Sequence, residues 1–180
     1  MGNLNRNIDP RRHAWLMTDP RIDAALFAML RALPPGAGVV FRHQARSRRE
    51  RHALFLRVRR LAHARHLRLS AAGPMPGAAA HNGRHALTHA VHDRRQAIAA
   101  TRAGATWLFV SPLYPTRSHP GAPALGIRRG LAMTQGLAGQ RVALGGMTAA
   151  RWLRLRGYGF DGWAAIDGLT PDQKRKAVPT

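Results

Sequence analysis

The sequence predicts an α/β fold, a (β/α)8 barrel of the TIM type shortened around strands three and four. Three observations predict it. Eight short apolar runs follow one another, helical periodicity separates most of them, and polar clusters sit at their C-terminal ends. Repeated β-then-α units imply parallel strands joined by right-handed crossovers. Eight such units close into a barrel that binds its ligands at the C-terminal strand ends. At 180 residues the chain falls below the roughly 200 that such a barrel usually needs. An open doubly wound sheet is the alternative.

The first strand is residues 13–18 (HAWLMT), stopped at Thr18-Asp19-Pro20, with Asp19 read as a turn and cap residue. Ile22, Leu26, Met29, Leu30 and Leu33 then recur at helical spacing until Pro34-Pro35-Gly36 ends the pattern. Residues 38–41 are strand two and deliver Arg42, His43 and Gln44 to its C-terminal end. A long helix over 47–64 is apolar at Leu54, Val58, Leu61 and Ala62 and arginine-rich outside. Strand three, 67–72, breaks at Gly73-Pro74-Met75-Pro76-Gly77.

Residues 78–81 and 87–92 read as strands four and five, and neither the segment before strand four nor 82–86 has room for a helix. Those two missing helices make the barrel short. Regular alternation then resumes. Asp93 caps a helix that Gly104 stops. Strand six is 107–111, a helix follows over 127–137, strand seven is 141–145, a helix covers 148–155, and strand eight is 162–166. The expected organisation is a disordered arm over 1–12, one barrel domain over 13–169 and a polar tail over 170–180.

Composition narrows the class. Apolar residues make up 45% of the chain, which suits a packed domain. With no cysteine there is no disulfide, thiolate nucleophile or thiolate zinc site. No run reaches the roughly 20 apolar residues needed to span a bilayer, and the N-terminus lacks a secretory apolar core. A cytoplasmic location is the expectation. Twenty-nine basic residues face eight acidic ones, a net charge of +21, and the charge is almost wholly arginine. Apart from residues 46–51 the arginines scatter through helix-like segments, so solvated helix faces rank ahead of a nucleic-acid surface.

The stretch 107–126, WLFVSPLYPTRSHPGAPALG, carries Thr116, Arg117, Ser118 and His119 just beyond a strand. Hydroxyls and a guanidinium fork suit a phosphate better than a core. Downstream, Val142-Ala143-Leu144 ends in Gly145-Gly146, and Thr148 opens a helix. Paired glycines let backbone N–H groups approach an anion. Both loops are expected to hold one phosphate-bearing ligand. His81, His85, His89 and His92 repeat at H-x3-H spacing, but the missing carboxylate partners make a metal cluster the minority reading and leave any metal ligands unknown. Trp107, Trp152 and Trp163 read as core.

Thr18-Asp19 after strand one, Phe41-Arg42 ending strand two, the run V-S-P-L-Y-P-T-R-S-H-P-G with L-G following, and A-L-G-G-M resemble the thiamine-phosphate synthase family, which includes a thiazole tautomerase branch. The resemblance spans residues 15–169 in order and is strongest from His92 onward. It implies a barrel that joins an aminopyrimidine diphosphate to a thiazole phosphate with release of pyrophosphate. It also implies that Arg42 holds pyrophosphate and that Thr116, Arg117 and Ser118 contact phosphate. Gly145, Gly146, Ile166 and Asp167 would complete the thiazole-phosphate site, and Arg42, Ser118 and His119 would serve catalysis.

The resemblance further implies Mg2+ as cofactor. Ala71-Ala72 stand where the family places Asn-Asp, and no aspartate within 81–85 matches the second ligand. Val40, Gln44 and His119 replace the family's glutamine and two lysines, and Pro112 replaces the tautomerase histidine. The first reading is therefore a transferase of thiamine biosynthesis with degraded magnesium ligands. The second is a relative that binds thiazole or thiamine phosphate without synthase turnover. The third is an arginine-rich nucleic-acid binder.

Overall fold

The computed structural model describes residues 9–116, 121 and 123–169. Eight strands, β1 Ala14–Met17, β2 Gly38–Phe41, β3 Arg68–Ala72, β4 Ala79–His81, β5 Thr88–Val91, β6 Trp107–Val110, β7 Gln140–Leu144 and β8 Gly162–Ala165, run parallel and close into a barrel in sequence order. The closing pair is β1 with β8, with Trp15 opposite Ala164. The helices are α1 Leu26–Ala32, α2 Arg48–Ala64, α3 Arg94–Arg102, α4 Gly126–Ala132 and α5 Ala149–Leu155. Turns alone join β3 to β4 and β4 to β5, as the short glycine- and proline-marked segments require.

Alternation along the strands sorts the core into an inside and an outside. Trp15, Met17, Val40, Trp107, Phe109, Val142 and Ala164 fill the barrel interior. Trp15 meets Trp107 and Phe109 edge-on, at 5.1 and 5.3 Å between centroids. Gly38 makes room for it: a Cβ there would lie 2.1 Å from the Trp15 ring. Outside the strands, Leu26, Met29 and Leu30 of α1 and Phe55, Val58 and Ala62 of α2 pack with Val39 and Phe41. On the opposite side, Ala97 and Ala100 of α3 and Trp152 and Leu155 of α5 pack with Leu108, Val110, Ala143 and Trp163.

Three boundaries differ from the sequence expectation. Asp9 caps a 3-10 turn over Pro10–His13, and Trp163 Nε1 donates to the Pro10 carbonyl at 2.9 Å, so residues 9–12 belong to the barrel rather than to an arm. The helix expected over 22–33 splits into a 3-10 turn, Pro20–Ile22, and α1. Asp19 causes this by capping the turn through the Arg21 N–H. The helix expected to run to Leu137 stops at Ala132, where the Thr134 hydroxyl bonds back to the Gly130 and Leu131 carbonyls and Gly136 turns left-handed at φ +72.

Candidate active site

Strand register decides which side chains reach the barrel mouth. Val40 lies inside, so Arg42, two residues on, points the same way at the C-terminal end of β2. Phe109 lies inside, so Ser111 follows it at the end of β6. The same count brings Asp19, Ala72, His81, His92, Gly146 and Ile166 to the mouth from the remaining strands. Arg42 is half-buried, and burial lowers its guanidinium from the usual arginine value while Asp19 counteracts that shift.

Arg42 is held from behind by a relay the sequence reading missed. Its backbone N–H donates to Thr18 Oγ1 at 2.9 Å, and that hydroxyl lies 3.0 Å from His43 Nδ1. His43 Nε2 reaches Asp23 Oδ1 at 2.7 Å, and Arg46 pairs with the same carboxylate. Thr18 and His43 are fully buried. Burial pushes Asp23 upward, but the bonds from His43 and Arg46 hold it below the ordinary carboxylate value. A buried threonine closing a strand was the available signal.

The two loops expected to share a ligand do meet. Leu113 N–H donates to the Leu144 carbonyl at 2.8 Å, and Tyr114 N–H to the Gly145 carbonyl at 3.2 Å. Gly145 has φ +92, and a Cβ there would sit 2.7 Å from Pro112 Cα. At Gly146, φ +61, a Cβ would sit 2.5 Å from the Pro115 carbonyl oxygen. Both glycines thus serve close backbone packing between the loops. Arg151 ties the join further, donating to the Gly146 carbonyl with its guanidinium 4.4 Å over the Tyr114 ring. Thr148 is the α5 cap, accepting the Arg151 N–H at 3.2 Å.

Thr116 is the last described residue of the β6 loop and is half-buried; Arg117, Ser118 and His119 lie outside the described residues. Ile166 continues the inner face of β8. Asp167 opens the turn Asp167–Leu169, whose Gly168 approaches the loop after β7 so closely that a Cβ would lie 2.4 Å from the Met147 carbonyl oxygen. The Asp167 charge acts on Arg21 beside Asp19, so the β1 and β8 ends carry mixed charge while the β2 end is cationic.

A hard divalent cation prefers carboxylate oxygens. At β3 and β4 the mouth presents Ala72 and His81. Asp19 is engaged by Arg21, Asp23 by His43 and Arg46, and Asp93 caps α3 through the Gln96 N–H at 2.7 Å. Among the described residues no three His, Asp or Glu side chains stand together as a metal-binding group. The four sequence-noted histidines take separate parts: His81 Nδ1 meets Thr88, His89 Nδ1 the Ala90 carbonyl, and His92 Nδ1 the Ser111 carbonyl at 2.9 Å. His85 adopts φ +55 in the turn before β5.

Comparisons with known proteins bear on the family and the fold. The family model of thiamine monophosphate synthase matches residues 70–169. A thiamine-phosphate synthase from Geobacillus thermodenitrificans is 37% identical over 90 residues, covering 48% of this chain and 40% of that protein. The chain thus spans less than half the length of that curated relative. Among solved structures, a thiamine phosphate pyrophosphorylase from Pyrococcus furiosus superposes with a TM-score of 0.72 at 18% identity, over 88% of this chain and 87% of its own. A thiamine phosphate pyrophosphorylase from Bacteroides thetaiotaomicron gives a TM-score of 0.54 at 16% identity, over 93% and 88%. These likenesses carry the fold.

Proposed function

The chain belongs to the thiamine monophosphate synthase family, and from that premise we propose that it joins an aminopyrimidine diphosphate to a thiazole phosphate with release of pyrophosphate. The observation that carries this reading is the hydrogen-bonded join of the β6 and β7 loops, beside a mouth that holds Arg42. In the reaction the bond from the pyrimidine methylene carbon to the diphosphate oxygen breaks, and its electron pair leaves with pyrophosphate. The thiazole nitrogen then gives its lone pair to the cationic carbon. Little covalent work falls to the protein, which must neutralise the leaving group and align two rings.

Arg42 supplies charge to the diphosphate, and its fork can take two oxygens at once. Thr116, Arg117 and Ser118 add donors from the β6 loop, and His119 takes the place of a cationic donor there. Gly145 and Gly146 set the backbone against the thiazole phosphate, with Ile166 and Asp167 bordering it. The ends of β3 and β4 provide no carboxylate for magnesium, so no step is drawn through the metal. No helix among the described residues is long and apolar enough to cross a membrane.

The test is direct. Purified protein given both substrates should form thiamine phosphate and pyrophosphate in equal amounts. Tight binding of thiamine phosphate with no turnover would favour the non-synthase reading, and neither binding nor turnover would refute both.

A further inference from the structure

Arginines that scatter through the sequence meet, in the fold, on the outer face of α2. The inner side of this helix is already buried, with Phe55, Val58 and Ala62 packed on the barrel. Arg48, Arg49, Arg57 and Arg60 stand exposed on the outside. Arg49 and Arg60 are eleven residues apart, three helical turns or about 16 Å along one line. Ala53 and Leu56 fall between them on that line, so no bulky side chain separates the two charges.

Nothing acidic faces this surface. Glu50 is the only carboxylate in α2, and Ser47 engages it in the capping box. On one side α2 meets α1, which carries exposed Arg31 and no carboxylate. On the other side β3 and β4 lead into turns instead of helices, and the turn over 73–78 is free of carboxylates too. The arginines at the rim are occupied: Arg51, Arg59 and Arg65 donate to the carbonyls of Ala72, Pro76 and Leu33. The four on the outer face form no ion pair among the described residues. Arg57 lies 4.5 Å over the Phe27 ring, which fixes the guanidinium plane and leaves its N–H edges free for an oxygen. Arg48 with Arg51, and Arg57 with Arg60, stand three residues apart, where like charges repel. A helix face built for solvation alone alternates its signs, and this one does not.

We infer that the outer face of α2 docks on the phosphate backbone of a nucleic-acid duplex without reading its sequence. Guanidinium forks match phosphate oxygens, and a duplex carries one charge per about 1.7 Å of axis, dense enough to meet every arginine on the face. No exposed aromatic ring stands on this face to stack unpaired bases, which favours a duplex over a single strand. Leu56 is its one exposed large apolar side chain, too little to enter a bilayer. The net charge of +21 draws a polyanion toward the protein, and the α2 face decides where it rests. Arg42 and the joined loops take no part, so the inference stands apart from the synthase reading.

The experiment follows binding of a labelled mixed-sequence DNA duplex by fluorescence polarisation over a range of salt. At about 0.15 M salt the wild type should bind with a dissociation constant of about 1–100 μM, and equally well to a second duplex of unrelated sequence. The fourfold variant Arg48→Gln, Arg49→Gln, Arg57→Gln, Arg60→Gln should bind at least about tenfold more weakly. Its slope of log affinity against log salt should shrink by about three to four, at about 0.9 per lost phosphate contact. A control with the same change in charge, Arg95→Gln, Arg102→Gln, Arg128→Gln, Arg154→Gln, alters exposed positions of α3, α4 and α5 and should keep most of the affinity and slope. Glutamine suits a helix, so the fourfold variant should melt within a few degrees of wild type. If it unfolds, the pair Arg49→Gln, Arg60→Gln carries the same test with about half the change in slope. Equal losses in the fourfold variant and the control, no binding by wild type at about 0.15 M salt, or tighter binding of the single strand overturns the inference. So does binding to vesicles of anionic and neutral phospholipid that exceeds duplex binding and is lost in the fourfold variant.

Discussion

The backbone N–H of Arg42 donates to the hydroxyl of Thr18 at 2.9 Å, and this bond ties the guanidinium-bearing end of β2 to the end of β1. The same hydroxyl faces His43 Nδ1 at 3.0 Å, so one buried oxygen serves two neighbours. Thr18→Val would leave a backbone donor and an imidazole nitrogen unpaired in the interior. The expected loss is about 1–3 kcal/mol, the cost of unsatisfied buried polar groups. Thr18→Ser keeps the oxygen and should retain most of the stability. Urea unfolding of the two variants measures the difference.

The role proposed for Arg42 is ligand binding, and its backbone bond to Thr18 survives substitution of the side chain. Arg42→Ala should weaken binding of pyrophosphate by about tenfold or more, the range of a charge-assisted hydrogen bond. Its melting temperature should move by no more than a few degrees. Arg42→Lys should recover part of the affinity, since a point charge replaces a fork. Titration calorimetry and thermal melts separate the two effects.

Gly145→Ala should disturb stability and turnover together. Its φ of +92 disfavours any side chain, and the new Cβ would lie 2.7 Å from Pro112 Cα. The β6 loop must then move away from the β7 loop, at a cost of about 1–3 kcal/mol. Gly36, at φ +83 with nothing within 4 Å of its Cβ position, is the control: alanine there meets backbone strain without a clash. Melting temperatures of the two variants, with Gly145→Ala lower, check the point.

Buried His81 makes stability depend on pH in a defined window. Its pKa falls from 6.5 to about 4 on folding, so between these values the unfolded chain binds a proton that the folded chain refuses. Stability is therefore full above pH 6.5 and falls as the pH drops toward about 4, by up to about 3 kcal/mol at 1.36 kcal/mol per unit. Asp19 and Asp23, held below 3.8 by their partners, lose their contribution only at lower pH. Unfolding at a series of pH values should show the slope in wild type and a flatter one in His81→Gln.

The barrel was legible because its signals are local. Apolar runs of four or five residues, Asp93 as a cap, and proline- or glycine-marked breaks set nearly every strand to within a residue. The two absent helices followed from arithmetic, since 73–78 and 82–87 are too short to cross back over a sheet. The ends of α1 and α4 were not legible, because Asp19 and Thr134 redirect the backbone through bonds to single neighbours. Gly145 and Gly146 were named from their type and Arg42 from the family resemblance and its place at the end of β2, and the structure adds that the glycines pack loop on loop. Thr18, Ser111 and the Thr88–His81 pair were missed because their importance lies in pairings across strands. Alternation counted outward from Val40 and Trp107 would have turned Arg42 and Ser111 inward.

The central claim is that one mouth, edged by Arg42 and the joined loops at Leu113 and Gly145, processes a diphosphate and a phosphate together. The measurement that tests it most directly is the initial rate of thiamine phosphate formation by wild type and by Arg42→Ala, each given aminopyrimidine diphosphate and thiazole phosphate. The account predicts turnover by the wild type, reduced at least about tenfold by the substitution in a variant that remains folded. Equal rates for the two proteins would contradict it.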